Sequence, residues 1–387
     1  MARIPSLRHD QTLFRDIDVF EPAYVPEQLH HRDAQTRELV FLISPAIQGA
    51  SPMNAILRGP PGTGKTTTVR QIFHELTRTT RDVIPVYVDC RQDRTPFAVY
   101  RTIFEGIFNY TLPSAGRHPD DIKESIVTRL RERRAALIVC LDDADYLIVA
   151  GTYNTLLYQI LRLYEKWDVR KPGIFAVTSD LSLNLYAEAD ASVRSVFHPT
   201  EINFWPYTKP EIRDILGDRV RQGLYPGVVP APILDRIARI TALEQDIRVG
   251  IDLVRVAALR AEKDGRRKVR VGDVTAAARA VTAPVLEARA AGLSAGERTL
   301  LSWIAEQSRD GGDMIAVFED AQDYIAVGKT AYHEHLNALA RAGLIDLVPR
   351  AGRGQMVRLR YPPDEVNRVC VFPDDDRFRI LDDSRPD

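Results

Sequence analysis

The segment Gly59-Pro60-Pro61-Gly62-Thr63-Gly64-Lys65-Thr66 has the form GxxxxGK[ST]. The short apolar run 54–58 precedes it, and Val69, Ile72, Phe73 and Leu76 follow at helical spacing. Strand, glycine-rich turn and helix in that order make a P-loop, because glycines let successive N–H groups and a helix N-terminus face phosphate. The pattern predicts Gly62, Thr63, Gly64, Lys65, Thr66 and Thr67 as nucleotide-binding residues. Lys65 supplies a cation for the β- and γ-phosphates, and the Thr66 hydroxyl is a candidate Mg²⁺ ligand. Downstream, Leu137-Ile138-Val139-Cys140-Leu141 runs directly into Asp142 and Asp143. An apolar strand ending in two carboxylates and following a P-loop reads as a Walker B: Asp142 orients Mg²⁺ through water, and Asp143 polarises an attacking water as general base.

These groups need a scaffold. Further apolar runs at 83–89, 137–141, 174–178 and 201–204 alternate with helical stretches such as 120–134 and 153–167. Continuous Val/Ile/Leu runs between helices predict a parallel sheet covered on both faces, so residues 1–208 form an α/β nucleotide-binding core. Over 209–283 the strand signal vanishes, and Ile233, Ile237 and Ile240, then Ile251 and Val254, recur at helical spacing. That predicts a small all-α domain. It carries the basic run Lys263, Arg266, Arg267, Lys268 and Arg270, ordinarily a solvated loop.

After Pro284, helices at 294–308 and 329–342 precede strands at 344–348 and 356–361, and in the last of these Val357, Leu359 and Tyr361 alternate with Arg358 and Arg360. Helix, helix, hairpin over 284–361 is the outline of a winged helix. Residues 362–387 read as an acidic, peripheral tail.

GPPGTGKT followed by LxxxLDDAD resembles the AAA+ class. The stretch from Tyr24 to Arg32, YVPEQLHHR, resembles the adenine-side box of archaeal origin-recognition/Cdc-type initiators. The likeness extends to Phe204-Trp205-Pro206-Tyr207, to Arg219, and to Asp246-Ile247-Arg248, which matches that family's sensor-2 motif. The resemblance implies an AAA+ core, a helical lid at 209–283 and a C-terminal DNA-binding domain. It further implies Val25, Pro26, Arg32, Tyr207, Arg219 and Arg248 as nucleotide contacts, and Ser179 as the sensor-1 residue.

Departures from that family bear on catalysis. Its Walker B usually ends Asp-Glu, and a side chain one methylene shorter at Asp143 holds the carboxylate farther from the water, which predicts slow hydrolysis. Ser179 stands where Asn is common, and Arg194 is the one guanidinium in the segment resembling the arginine-finger region. A weak ATPase acting as a conformational switch, with Asp143, Ser179 and Arg248 as its catalytic residues, is therefore expected over a fast motor.

For DNA, the candidate recognition helix begins at Lys329, with Thr330 and His333 on it, and the wing carries Arg350 and Arg353 between glycines. Such helices enter the major groove, and wing arginines approach the minor groove. Arg94 to Gly116 occupies the position of the family's initiator-specific insertion, where Phe97, Ile103, Phe104, Ile107 and Phe108 read as packing residues.

Composition sets limits. The 387 residues carry a net charge of −1, giving no global sign of nucleic acid, and three scattered cysteines without a CxxC pair argue against zinc or a disulfide framework. No stretch approaches the roughly 18 apolar residues of a membrane helix, which predicts a cytoplasmic protein. The resemblance implies a replication initiator that binds ATP or ADP with Mg²⁺ and duplex DNA at origins. Its implied partners are the replicative helicase and other initiator subunits, with no membrane. A switch or loader acting on a protein partner, its winged helix a docking surface, stays open, as does a regulatory paralogue.

Overall fold

The computed structural model describes residues 12–112, 119–309, 314–316, 318–322, 324, 325, 327–348 and 355–370. It divides into two compact units, one of residues 14–225 and 245–250, the other of the remainder.

In the first unit, α1 (Asp33–Ile47), β1 (Asn54–Arg58), α2 (Lys65–Thr79), β2 (Val83–Asp89), α3 (Pro96–Phe108), α4 (Pro119–Arg133) and β3 (Ala136–Asp142) come first. They are followed by α5 (Asp145–Val149), α6 (Tyr153–Leu161), α7 (Leu163–Lys166), β4 (Gly173–Thr178), α8 (Ala191–Arg194), β5 (Pro199–Asn203) and α9 (Lys209–Gly223). The strands form a five-stranded parallel sheet in the order β2-β3-β4-β1-β5. Strand alternation sorts the side chains into two cores. Leu137, Val139 and Leu141 of β3 join Val99, Ile103 and Phe104 of α3 on one face. Ile138 and Cys140 join Leu39 of α1 and Val69 and Phe73 of α2 on the other. Every residue of β3 and β4 is buried, which is why both read as uninterrupted apolar runs.

Two local readings need correction. The helix expected over 153–167 is two, because Arg162 caps α6 with φ −106° and ψ 16° before α7 starts. Within α3, Ile103, Phe104 and Ile107 are buried, whereas Phe97 is 43% exposed and packs little.

The second unit contains α10 (Ala231–Glu244), α11 (Ile247–Lys263) from Ile251 onward, α12 (Val271–Ala291) and α13 (Ala295–Gln307). Next come β6 (Met314–Ala316), α14 (Phe318–Ala321), α15 (Lys329–Arg341), β7 (Ile345–Val348), β8 (Gln355–Leu359) and α16 (Pro363–Cys370). Helix α12 runs through Pro284, so no break falls at the expected 283/284 boundary. The sheet β6-β8-β7 is antiparallel and packs with α13 and α15 around Leu300, Ile304, Tyr332, Leu336 and Val357. The two expected helices and two expected strands are present in order, but β6 and α14, which were not expected, lie between the helices. The supposed tail begins instead with α16, whose Val366 and Cys370 enter the same core. Arg350, Arg353 and the chain beyond Cys370 lie outside the described residues.

Candidate functional site

The sheet brings the predicted chemistry to its carboxyl edge. β1 runs into the glycine-rich loop, whose Gly62 and Gly64 have φ of +72° and +88°, and α2 starts at Lys65. A side chain is excluded at both glycines: a Cβ on Gly62 would lie 1.9 Å from Asp246 Oδ1, and one on Gly64 would lie 2.5 Å from the Tyr207 hydroxyl. The first N–H groups of α2 lack intrahelical acceptors, which suits an anion.

Lys65 is 5% exposed, and its Nζ donates to the carbonyls of Gly59 and Pro60 at 2.7 and 2.8 Å. Burial pushes its pKa down to about 8 against the opposing pull of Asp142 and Asp143. Thr66 Oγ1 donates to Asp142 Oδ2 at 2.7 Å, joining the loop to the end of β3. Burial raises the Asp142 pKa, while hydrogen bonds from Tyr87 and Thr66 oppose that shift. Asp143 takes a left-handed φ of 52°, and its Oδ2 accepts from Arg91 Nε at 2.6 Å. The hydroxyl, two carboxylates and lysine form a donor set chemically suited to a nucleotide phosphate and Mg²⁺. Among the described residues, no cluster of three His, Cys, Asp or Glu side chains makes a separate metal site.

The other expected residues surround this edge. Arg248 chelates Asp246, with Nε 2.9 Å from Oδ1, and that ion pair raises its pKa. Ser179 lies one residue beyond β4 and is half-buried, while the neighbouring Thr178 donates to Asp145 at 3.3 Å. Thr63 is fully buried and donates to the Pro60 carbonyl, and Thr67 is half-buried in the first turn of α2.

Arg32 stacks 3.8 Å from the Tyr207 ring centroid and donates to the carbonyls of Thr63 and Trp205 at 2.9 and 2.7 Å. It braces the glycine-rich loop against the segment after β5. Arg219, buried on α9, donates to the Val19 carbonyl at 3.1 Å and lies 4.4 Å from the Tyr24 ring, beside half-buried Val25 and buried Pro26. Both arginines have pKa values lowered by burial. Arg194 is exposed on α8.

In the second unit Lys329, Thr330 and His333 are exposed together along α15. The basic run divides: Arg266 bonds Asp264 and Asp273, while Lys263, Arg267, Lys268 and Arg270 are exposed.

Comparison with known proteins fits this geometry. The AAA ATPase domain model matches residues 28–165, and the Cdc6 AAA+ ATPase-type lid domain model matches 213–279. ORC1-type DNA replication protein 6 of Halobacterium salinarum is 40% identical over 92% of this chain and 94% of its own length. The chain belongs to the ORC1-type DNA replication protein family. An ORC1-type protein of Methanosarcina mazei is 35% identical over 92% of this chain and 96% of its own. Among solved structures, the Aeropyrum pernix ORC1 protein in complex with DNA superposes with a TM-score of 0.63 at 27% identity, covering 96% of this chain and all of that one. Cdc6p of Pyrobaculum aerophilum gives 0.62 at 27% identity, covering 93% of this chain and 98% of that one. As an ORC1-type initiator with an AAA+ fold, the chain has the core and lid that its motifs led one to expect. Among the described residues no helix is long and apolar enough to cross a membrane.

Sequence reasoning missed Tyr87 and Arg91, two further side chains that bond the Walker carboxylates. A signal for Tyr87 existed: an aromatic two residues before Asp89 shares that residue's strand face.

Proposed function

We propose that this ORC1-type initiator binds ATP and ADP with Mg²⁺ at the loop 59–66, hydrolyses ATP slowly, and uses the nucleotide as a conformational switch while bound to duplex DNA at origins. The observation that carries the reading is the joining of the glycine-rich loop to the Walker B strand by the Thr66–Asp142 hydrogen bond, with Lys65 beside it. Mg²⁺ bound there supplies charge neutralisation for the phosphates. Thr66 and Asp142 hold it, Lys65 turns from the loop carbonyls to the phosphates, and Gly62, Gly64 and Thr67 border them. Tyr207, Val25 and Pro26 line the base, with Arg32 and Arg219 bracing that wall. Asp143 is the general base, and Ser179 and Arg248 sense the terminal phosphate. Because Asp143 is shared with Arg91, turnover is slow.

DNA contact is assigned to Lys329, Thr330 and His333 on α15 and to Arg350 and Arg353. Its support is the exposure of the first three and the likeness to an ORC1 protein solved with DNA. Recruitment of the replicative helicase, assembly with other initiator subunits and a cytoplasmic site of action complete the proposal. Titration of ATP and ADP, with duplex DNA binding measured at two salt concentrations, tests it. No nucleotide binding, or DNA binding without a salt slope, overturns it. A second reading, docking of a protein partner, draws on Glu334, a carboxylate exposed on the same helix as Lys329.

A further inference from the structure

The Walker B carboxylate has a third partner that the motif does not contain. Tyr87 and Asp89 lie on one face of β2, which pairs in parallel with β3 so that Tyr87 faces Cys140 and Asp89 faces Asp142. The Tyr87 side chain spans that offset, and its hydroxyl donates to Asp142 Oδ2 at 2.6 Å. The same oxygen accepts from Thr66 Oγ1 at 2.7 Å, while Oδ1 accepts from the Asp143 N–H at 3.2 Å. A carboxylate oxygen has about two lone-pair sites. Oδ2 is therefore filled by two hydroxyls, and Oδ1 keeps one site for a further donor. The Tyr87 ring is held in turn by Arg70 of α2, whose guanidinium lies 4.3 Å from the ring centroid.

We infer that Tyr87 is a positioning residue for the metal: by occupying Oδ2 with Thr66 it fixes the Asp142 carboxylate so that Oδ1 is presented to a water on Mg²⁺. This rests on the nucleotide reading above. The hydrogen-bond pattern supports it. Tyr87 and Thr66 both bond Oδ2, and without the Tyr87 hydroxyl the carboxylate keeps only Thr66 and the Asp143 N–H as partners.

The test separates metal affinity from nucleotide affinity, which loss of packing alone would not do. ADP affinity is measured in the presence of a chelator, and Mn²⁺ binding to the ADP complex is followed by electron paramagnetic resonance, for the wild type, Tyr87→Phe and Lys65→Ala. Phenylalanine keeps the ring beneath Arg70 and removes only the hydroxyl. Tyr87→Phe is expected to bind metal-free ADP within about twofold of the wild type while its Mn²⁺ affinity falls about tenfold or more, the usual effect of losing a group that orients a metal ligand. Lys65→Ala is expected to lose ADP with or without metal. Unchanged Mn²⁺ affinity in Tyr87→Phe with ADP binding intact overturns this inference alone. An equal loss of metal-free ADP binding in Tyr87→Phe makes the tyrosine structural and also overturns it. Failure of the wild type to bind ADP overturns the nucleotide reading and this inference together.

Discussion

Arg91 Nε lies 2.6 Å from Asp143 Oδ2, so the carboxylate proposed as general base is already engaged by a guanidinium. The Arg91 side chain is 58% exposed, which makes this a solvent-screened pair of modest strength. Wild-type ATP turnover is expected to stay below about 1 s⁻¹, the low end of the usual enzyme range. Arg91→Ala frees the carboxylate and is expected to raise single-turnover hydrolysis by up to about fivefold, the equivalent of a surface ion pair. Steady-state and single-turnover phosphate release check both values. A fast wild type would remove the case for a switch.

Lys65→Ala takes a buried cation from the loop, and ATP affinity is expected to fall at least about tenfold, as for loss of a charge-assisted hydrogen bond. Gly62→Ala tests the same loop sterically. Its Cβ would stand 1.9 Å from Asp246 Oδ1 and 2.9 Å from Asp246 Cα, at a φ of +72°. Asp246 and the paired Arg248 must shift, at a cost of about 1–3 kcal/mol. Calorimetry of ADP binding, with thermal unfolding as the control for folding, should show weaker binding by both variants. Unchanged affinity in either would contradict the assigned site.

Much of the core was legible because buried parallel strands carry no polar alternation, and β3 and β4 are buried at every position. The P-loop is a run of consecutive residues and so are the two Walker aspartates, and each was read from its motif together with the apolar strand before it. The partners of Tyr87 and Arg91 were not legible, although Tyr87 itself left a signal in its strand face, because those partners lie 55 and 52 residues away and only the fold brings them together. Pro284 suggested a boundary, yet α12 continues past it. In α16 the charged residues hid Val366 and Cys370, which reach the core only once their spacing is wound into a helix.

Arg266 bonds both oxygens of Asp273, and Asp273 also accepts from the Arg270 N–H at 2.8 Å. The Arg266 guanidinium holds the Asp273 carboxyl below its ordinary range. A depressed carboxylate pKa contributes stability above the unfolded value, about 3.9, and loses it as pH falls through the folded value. Arg266→Met should therefore lower the melting temperature at neutral pH, and the difference from the wild type should shrink on acidification. Melting curves across that range check the sign. A difference that grows as pH falls would exclude this linkage.

The proposed DNA contact involves side chains of α15 together with Arg350 and Arg353, which follow β7 in the sequence. Lys329 and His333 are exposed on α15, so replacing either by Ala should leave the core around Tyr332 and Leu336 intact. If Lys329 meets a phosphate, Lys329→Ala weakens binding to all duplex sequences alike and reduces the magnitude of the salt slope by about one unit. If Arg350 and Arg353 each meet a phosphate, their double change to Ala is expected to reduce it by about two. His333→Ala behaves differently if it meets a base edge: sequence preference changes while the salt slope holds. Affinity measured over a series of salt concentrations, with two unrelated duplexes, separates these outcomes. An unchanged slope in both the lysine and the arginine variants would assign this surface to a protein partner, and Glu334 would then be the next residue to replace.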